Sequence, residues 1–175
     1  MALVKWARDG YGMLERNRVQ THNIEAQCEL DATVFANGAE VGSIVAVDKA
    51  AGKIKLEGPI YGLLANAERL PDPLHAGLKN YHVKGGDMGV VIFLEVGNTF
   101  TTNTLCYDST DFADKDAVKT ALAAGTAVYG VQDATSGQIQ LVDTIGEGVT
   151  FVLQAVKFTT MPDGQDAIKF IVVSK

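Results

Sequence analysis

The sequence is poor in the residues that build disulfide-bonded or metal-bound scaffolds. It has two cysteines, Cys28 and Cys106, with three histidines and four prolines in 175 residues. Two cysteines do not make a disulfide framework, and both lie in strand-like apolar patterns, so we expect buried free thiols. No histidine pair has the spacing of metal ligands on one helix face, and no Cys-x-x-Cys occurs. Neither a disulfide-rich scaffold nor a cofactor is expected.

Long apolar runs and catalytic motifs are also missing. The longest nearly unbroken apolar run, residues 88–94, is far short of the roughly 20 residues that cross a bilayer, so no membrane contact is expected. None of the four serines lies in Gly-x-Ser-x-Gly, and Gly10-Tyr11-Gly12 lacks the third glycine of a dinucleotide-binding loop. An enzyme is not expected. The first ten residues lack a secretory signal, which favours synthesis in a reducing cytosol.

The charge of the chain is acidic overall and unevenly distributed. The net charge is −6, yet residues 1–20 carry four basic and two acidic side chains, whereas the remainder carries 11 basic and 19 acidic ones. An acidic protein has no overall attraction to phosphate backbones, so nucleic-acid binding is not expected. A basic segment on an acidic body can contact a neighbour's acidic face, or it can simply be solvated.

Hydrophobic periodicity predicts a mainly β fold, with a sandwich or barrel-like β body, one or two short helices and an extended N-terminal arm. Residues 24–30 alternate between apolar and polar, as in a half-buried strand. Residues 149–160 and 167–173 flank Met161-Pro162-Asp163-Gly164, which is typical of a hairpin turn. Residues 1–20 have no sustained period and form the predicted arm. Residues 21–175 form a single β-rich domain.

Two segments interrupt the strand pattern. Residues 59–87 are predicted to be an irregular insert, in which residues 62–70 form a short helix that ends at Pro71. The one clear helix is expected near residues 112–124, with Asp111 or Asp114 capping its first turn and Gly125 at its end. The aspartates of this region lack the spacing of a calcium loop, so we interpret them as helix-capping residues: Asp108, Asp111, Asp114 and Asp116.

Two predicted hairpins, at residues 41–56 and 126–141, share a local pattern. Asp48-x-x-x-Gly52-Lys-Ile-Lys-Leu56 returns as Asp133-x-x-x-Gly137-Gln-Ile-Gln-Leu141. Aspartate can accept backbone N–H groups inside a turn, and glycine can adopt the positive φ that the return strand needs. The repeated pattern is explained either by duplication of a β unit or by independent use of the same turn in two hairpins.

These two hairpins, together with the arm and the missing catalytic motifs, resemble head decoration (capsid cement) proteins of tailed bacteriophages. The resemblance implies a non-enzymatic virion structural protein, made in the host cytoplasm, that binds and stabilises the outer capsid shell. It also implies contact with the major capsid protein or other virion subunits, and self-association, for which a trimer is common in that family. Two alternatives remain open: a phage tail, neck or fibre-anchor component, and a small hydrolase or ligand-binding β domain that uses Asp108 or Asp111.

The N-terminal arm holds the residue types that dominate protein interfaces. Aromatic and arginine side chains are enriched there, so we predict five partner-binding residues: Trp6, Arg8, Tyr11, Arg16 and Arg18. The alternative is that Trp6 and Tyr11 fold back onto the protein's own core.

Overall fold

A computed structural model describes residues 3–6, 11–19, 24–67 and 81–175, and it is mainly β, as predicted. Within these residues the chain forms thirteen strands and one helix. In chain order these are β1 (Val4–Lys5), β2 (Leu14–Arg18), β3 (Ile24–Leu30), β4 (Ile44–Asp48), β5 (Lys53–Lys55), β6 (Ile60–Leu64), β7 (Met88–Phe93), β8 (Thr99–Thr102), β9 (Leu105–Tyr107), α1 (Lys115–Ala123), β10 (Tyr129–Gln132), β11 (Ile139–Val142), β12 (Val152–Thr160) and β13 (Asp166–Ser174).

Five strands close into a barrel in the order β3-β5-β4-β6-β7. Successive side chains of a strand lie on opposite faces, and the barrel wall uses both. On one face, Val45 and Val91 belong to the cluster inside the barrel. On the other face, Ile44 and Ile92 join the larger core formed with the second sheet. The wall formed by β4, β6 and β7 is therefore shared by two cores, which packs the barrel against the rest of the molecule.

The other eight strands form one sheet in the order β1-β9-β11-β10-β12-β13-β8-β2. Strands β8 and β9 stand far apart in this order, yet only Asn103 and Thr104 separate them in the chain. Three Cα steps span at most about 11 Å, so the sheet curls until its two ends meet at this link. Phe100, Leu105 and Phe170 are fully buried in the core that it encloses.

The N-terminal segment (residues 3–6 and 11–19 of the predicted arm) packs on the protein's own sheet and supplies both edge strands, β1 and β2. These residues are extended, as predicted, and it is the protein's own body that holds them. Trp6 is fully buried in the main core. At Gly12 a Cβ would lie 2.1 Å from Thr104 Oγ1 and 2.3 Å from the Val41 carbonyl oxygen, so the segment can cross the body this closely only as glycine.

Several local predictions are confirmed and one is wrong. The final hairpin forms as β12 and β13. The helix α1 begins at Lys115, later than expected, because Asp108 organises a preceding turn by accepting the Thr110 N–H. Asp114 is the N-cap of the helix, and its side chain accepts the Ala117 N–H at 2.8 Å. Residues 62–64 belong to strand β6, so the helix predicted there is wrong, and 59–87 is not irregular throughout. Residues 68–80 lie outside the described residues.

The two look-alike hairpins use the same turn. In each, the aspartate side chain accepts the N–H three residues later, Ala51 for Asp48 and Ser136 for Asp133. Both glycines of the pattern have positive φ. The hairpins also touch, because Gln132 Nε2 donates to the carbonyl oxygens of Ile44 and Leu56 at 2.8 and 2.9 Å. The shared turn chemistry accounts for the repeated pattern, and duplication stays an open interpretation.

We predict that Trp6→Ala lowers the free energy of unfolding by about 3–5 kcal/mol, because it empties a fully buried indole site. The matched control is Val4→Ala in the same segment, where the side chain is 43% exposed, with an expected change below about 0.5 kcal/mol. Urea denaturation monitored by far-UV circular dichroism measures both. Equal small effects would show that the segment is not docked in solution.

Candidate partner-binding surface

A buried polar network holds the N-terminal segment against the bend between β8 and β9. Asn103 is fully buried; its Oδ1 accepts the Met13 N–H at 2.6 Å, and its Nδ2 donates to the Tyr11 carbonyl oxygen at 3.3 Å. Thr102 Oγ1 donates to the Met13 carbonyl oxygen at 2.6 Å. Buried polar groups are costly unless they are paired. Docking of the N-terminal segment therefore satisfies the Asn103 and Thr102 side chains, and their hydrogen bonds in turn stabilise the docked segment.

Trp6 and Tyr11, predicted as partner-binding residues, are instead buried in the chain's own body. Trp6 Nε1 donates to the Asp166 carbonyl oxygen at 3.0 Å, and its ring packs edge-on against Tyr107. Tyr11 is 7% exposed, and its hydroxyl donates to Asp163 Oδ2 at 2.7 Å. The difference has a plain cause: both side chains are held by the β12–β13 hairpin, Trp6 through Asp166 and Tyr11 through Asp163, so neither is available as a surface anchor. Arg8 lies outside the described residues.

Arg16 and Arg18 remain on the surface. Both are exposed on β2, the last strand of the sheet, and within the described residues no strand pairs with the outer side of β2. Beside it lies a groove of about 300 Å³ that Leu14 and Arg16 share with Val41 and the residues after β6. The basic character predicted for the arm is therefore retained as a basic sheet edge with an adjoining groove. We call this surface the β2 edge.

A second surface went unnoticed in the sequence. Residues 143–150, between β11 and β12, are all exposed and run through bends and turns. Ile145 and Val149 are 37% and 38% exposed, and the acidic residues Asp143 and Glu147 alternate with them. The sequence carries a signal for this surface, because large residues alternate with glycine and threonine over residues 143–150. The same pattern also predicts the start of a strand at residue 149. We call this stretch the 143–150 loop.

A further groove of about 610 Å³ lies where the barrel meets the sheet. Tyr61, Phe93 and Phe151 line it together with Lys175, and the Tyr61 and Phe151 ring centroids are 6.3 Å apart. Lys175 Nζ lies 2.5 Å from Glu95 Oε2. Among the described residues that line it there is no aspartate, glutamate or histidine. The groove therefore offers aromatic and aliphatic contacts, with the Lys175–Glu95 ion pair beside it.

The acidic cluster near α1 has modest electrostatics. Burial, followed by the nearby Asp143 and Asp108 charges, raises the pKa of Asp111. Hydrogen bonds from the Thr110 backbone and hydroxyl lower the pKa of Asp108. Across the described ranges, no group of three or more histidine, cysteine, aspartate or glutamate residues is placed to hold a metal ion. The aspartates of this cluster therefore serve as turn-forming, helix-capping or surface side chains.

Both cysteines are buried free thiols, as predicted. Burial, with smaller contributions from the Asp133 and Glu40 charges, raises the pKa of Cys106 to about 12. Burial also raises the pKa of Cys28. Neither thiol has the depressed pKa of a reactive cysteine.

Comparison with known proteins identifies no relative: no family model, curated protein or solved structure matches the chain. In the part of the chain that is described, no helix is long and apolar enough to span a membrane.

We predict that Tyr11→Phe destabilises the protein by about 1 kcal/mol at neutral pH, because it removes a hydrogen bond to a carboxylate. Burial alone would raise the pKa of Asp163, but hydrogen bonds from Gln165 and Tyr11 outweigh it and lower the pKa below 3.8. A lowered native pKa stabilises the fold above the unfolded value and loses that effect as pH falls. The cost of Tyr11→Phe should therefore shrink below about pH 3.8.

Chemical denaturation of the wild type, Tyr11→Phe, Asp163→Asn and the double variant at pH 7 and pH 3 completes the cycle. In the Asp163→Asn background, Tyr11→Phe should cost less and lose its pH dependence. The same cost at both pH values would place the tyrosine hydroxyl on another acceptor.

Proposed function

We propose that the chain is a non-enzymatic virion structural protein that decorates and stabilises the outer capsid shell of a tailed bacteriophage. One observation carries the proposal: a mainly β body with a closed five-strand barrel exposes a basic edge of its second sheet, the β2 edge, with Arg16 and Arg18 on its surface. The groove beside it supplies apolar contact through Leu14 and Val41. This combination favours recognition of another polypeptide.

A sheet edge is a ready template for a protein partner. The outer side of an edge strand presents backbone N–H and C=O groups that an extended segment of a neighbouring subunit can pair with. Arginines on that strand select acidic partners and give bidentate hydrogen bonds to carboxylates. On a shell with many identical sites, modest contacts of this kind are multiplied by valency.

The docked N-terminal segment changes the mechanism that the sequence suggested. A free arm must lose conformational freedom when it binds, which weakens the contact. Here the Asn103 network and the pairing of β2 with β8 already hold β2 in place before any partner arrives. The proposed contact is therefore made by a preorganised strand edge, and not by an arm that becomes ordered only when it binds.

The test is co-sedimentation of the protein with capsid shells of the phage that encodes it, after the native copies have been stripped. The double variant Arg16→Glu/Arg18→Glu should bind at least about tenfold more weakly, because like charges then face the partner's acidic surface. The matched control Lys157→Glu/Lys169→Glu reverses the same number of charges on β12 and β13 and should bind normally.

Undiminished decoration by Arg16→Glu/Arg18→Glu would contradict the proposed mechanism. Copy number per particle, measured by quantitative mass spectrometry, tests the location: hundreds of copies support the shell or a long tail tube, whereas about a dozen would move the protein to the neck. Binding to tail-free shells separates the first two.

A further inference from the structure

We propose that the β2 edge binds the 143–150 loop of a second copy of this chain, so that neighbouring copies associate head to tail. The inference rests on the proposed function, because it identifies the neighbouring subunit that pairs with the β2 edge on the shell as another copy of this chain. It follows from the chemistry of two separate surfaces on one molecule.

The 143–150 loop has the composition of a docking strand. Its large residues fall at every second position, Asp143, Ile145, Glu147 and Val149, and threonine or glycine lies between them. The loop runs through bends and a turn in the free chain. When it extends along the β2 edge, alternate residues share one face, which then carries two carboxylates and two apolar side chains. The loop contains no basic residue, and all of it is exposed.

The β2 edge offers the complementary surface. Leu14 and Arg16 both line the groove beside it, and Arg18 is exposed further along the strand. An antiparallel loop that sets Ile145 opposite Leu14 also sets Asp143 opposite Arg16, so one apolar and one charged pair match in this register. Arg18 and Glu147 add to the opposite overall charges of the two surfaces. Cross-strand pairs of opposite charge stabilise a sheet, whereas like charges destabilise it.

Charge makes the partner specific. The chain has a net charge of −6, so two copies repel each other at long range, and an association needs a basic surface to face an acidic one. The β2 edge and the 143–150 loop satisfy this, and they are separate elements: β2 is the last strand in the sheet order, and the loop joins β11 to β12. The contact joins two unlike surfaces, so it closes into a ring or continues as a chain of copies.

The test is sedimentation velocity of the full-length protein over a range of concentrations in low-salt buffer. The wild type should form species larger than the monomer, and raising the salt to about 1 M should weaken them because exposed charges are then screened. Arg16→Glu/Arg18→Glu and Asp143→Lys/Glu147→Lys should each weaken association at least about tenfold, whereas Lys157→Glu/Lys169→Glu should not.

A charge exchange separates pairing from any structural effect of the substitutions. An equimolar mixture of the two double variants restores both complementary contacts and should associate, and so should the quadruple variant that carries all four changes. Far-UV circular dichroism melts confirm that each variant is folded. A monomeric wild type, or variants that fail to rescue each other, would overturn the inference.

Shell binding distinguishes this inference from the proposed function. If the wild type is monomeric but Arg16→Glu/Arg18→Glu still loses shell binding, the edge contacts a capsid subunit and only the self-association is refuted. If the charge exchange governs self-association while shells bind every variant equally, the loop contact stands and the proposed shell contact of the edge is refuted.

Discussion

The buried side-chain amide of Asn103 is the constraint on which the rest of the fold depends. It lies where the two ends of the curled sheet meet, and it is satisfied by Met13 and Tyr11 of the N-terminal segment. An amide in this position is tolerated only when its hydrogen bonds are made. The network therefore couples three events: the bend between β8 and β9, the docking of the N-terminal segment, and the presentation of β2 as an edge strand.

The shared wall of the barrel is the second source of rigidity. Leu63 packs in the sheet core and Leu64 in the barrel core, one residue apart on β6. A shift of one residue in the register of this strand would exchange the two and place each in the wrong cavity. Barrel and sheet thus fix each other's register, which leaves the body that carries the β2 edge with little freedom to adapt.

Local signals in the sequence were enough for the elements that depend on neighbouring residues. The alternation of β3, the Met161–Gly164 turn and the Asp114 cap were all predictable, because each is decided within a few positions. The bend at Asn103 was not, since residues 99–107 have the composition of one continuous strand and only distant partners divide it. The docking of Trp6 depends on the carbonyl of Asp166, 160 residues away, and no periodicity reports such a contact.

The residues predicted to bind a partner also fall into two groups, which local sequence patterns did not separate. Trp6 and Arg16 both have the composition of interface residues, yet one is buried and the other exposed, because the segment docks through its aromatic side chains. That division is physically consistent. Burying the indole and the phenol releases apolar surface from water, whereas burying an arginine without a partner is costly. The segment therefore places Trp6 and Tyr11 in the body and Arg16 and Arg18 outside, which gives the acidic molecule the basic β2 edge that we propose contacts another chain.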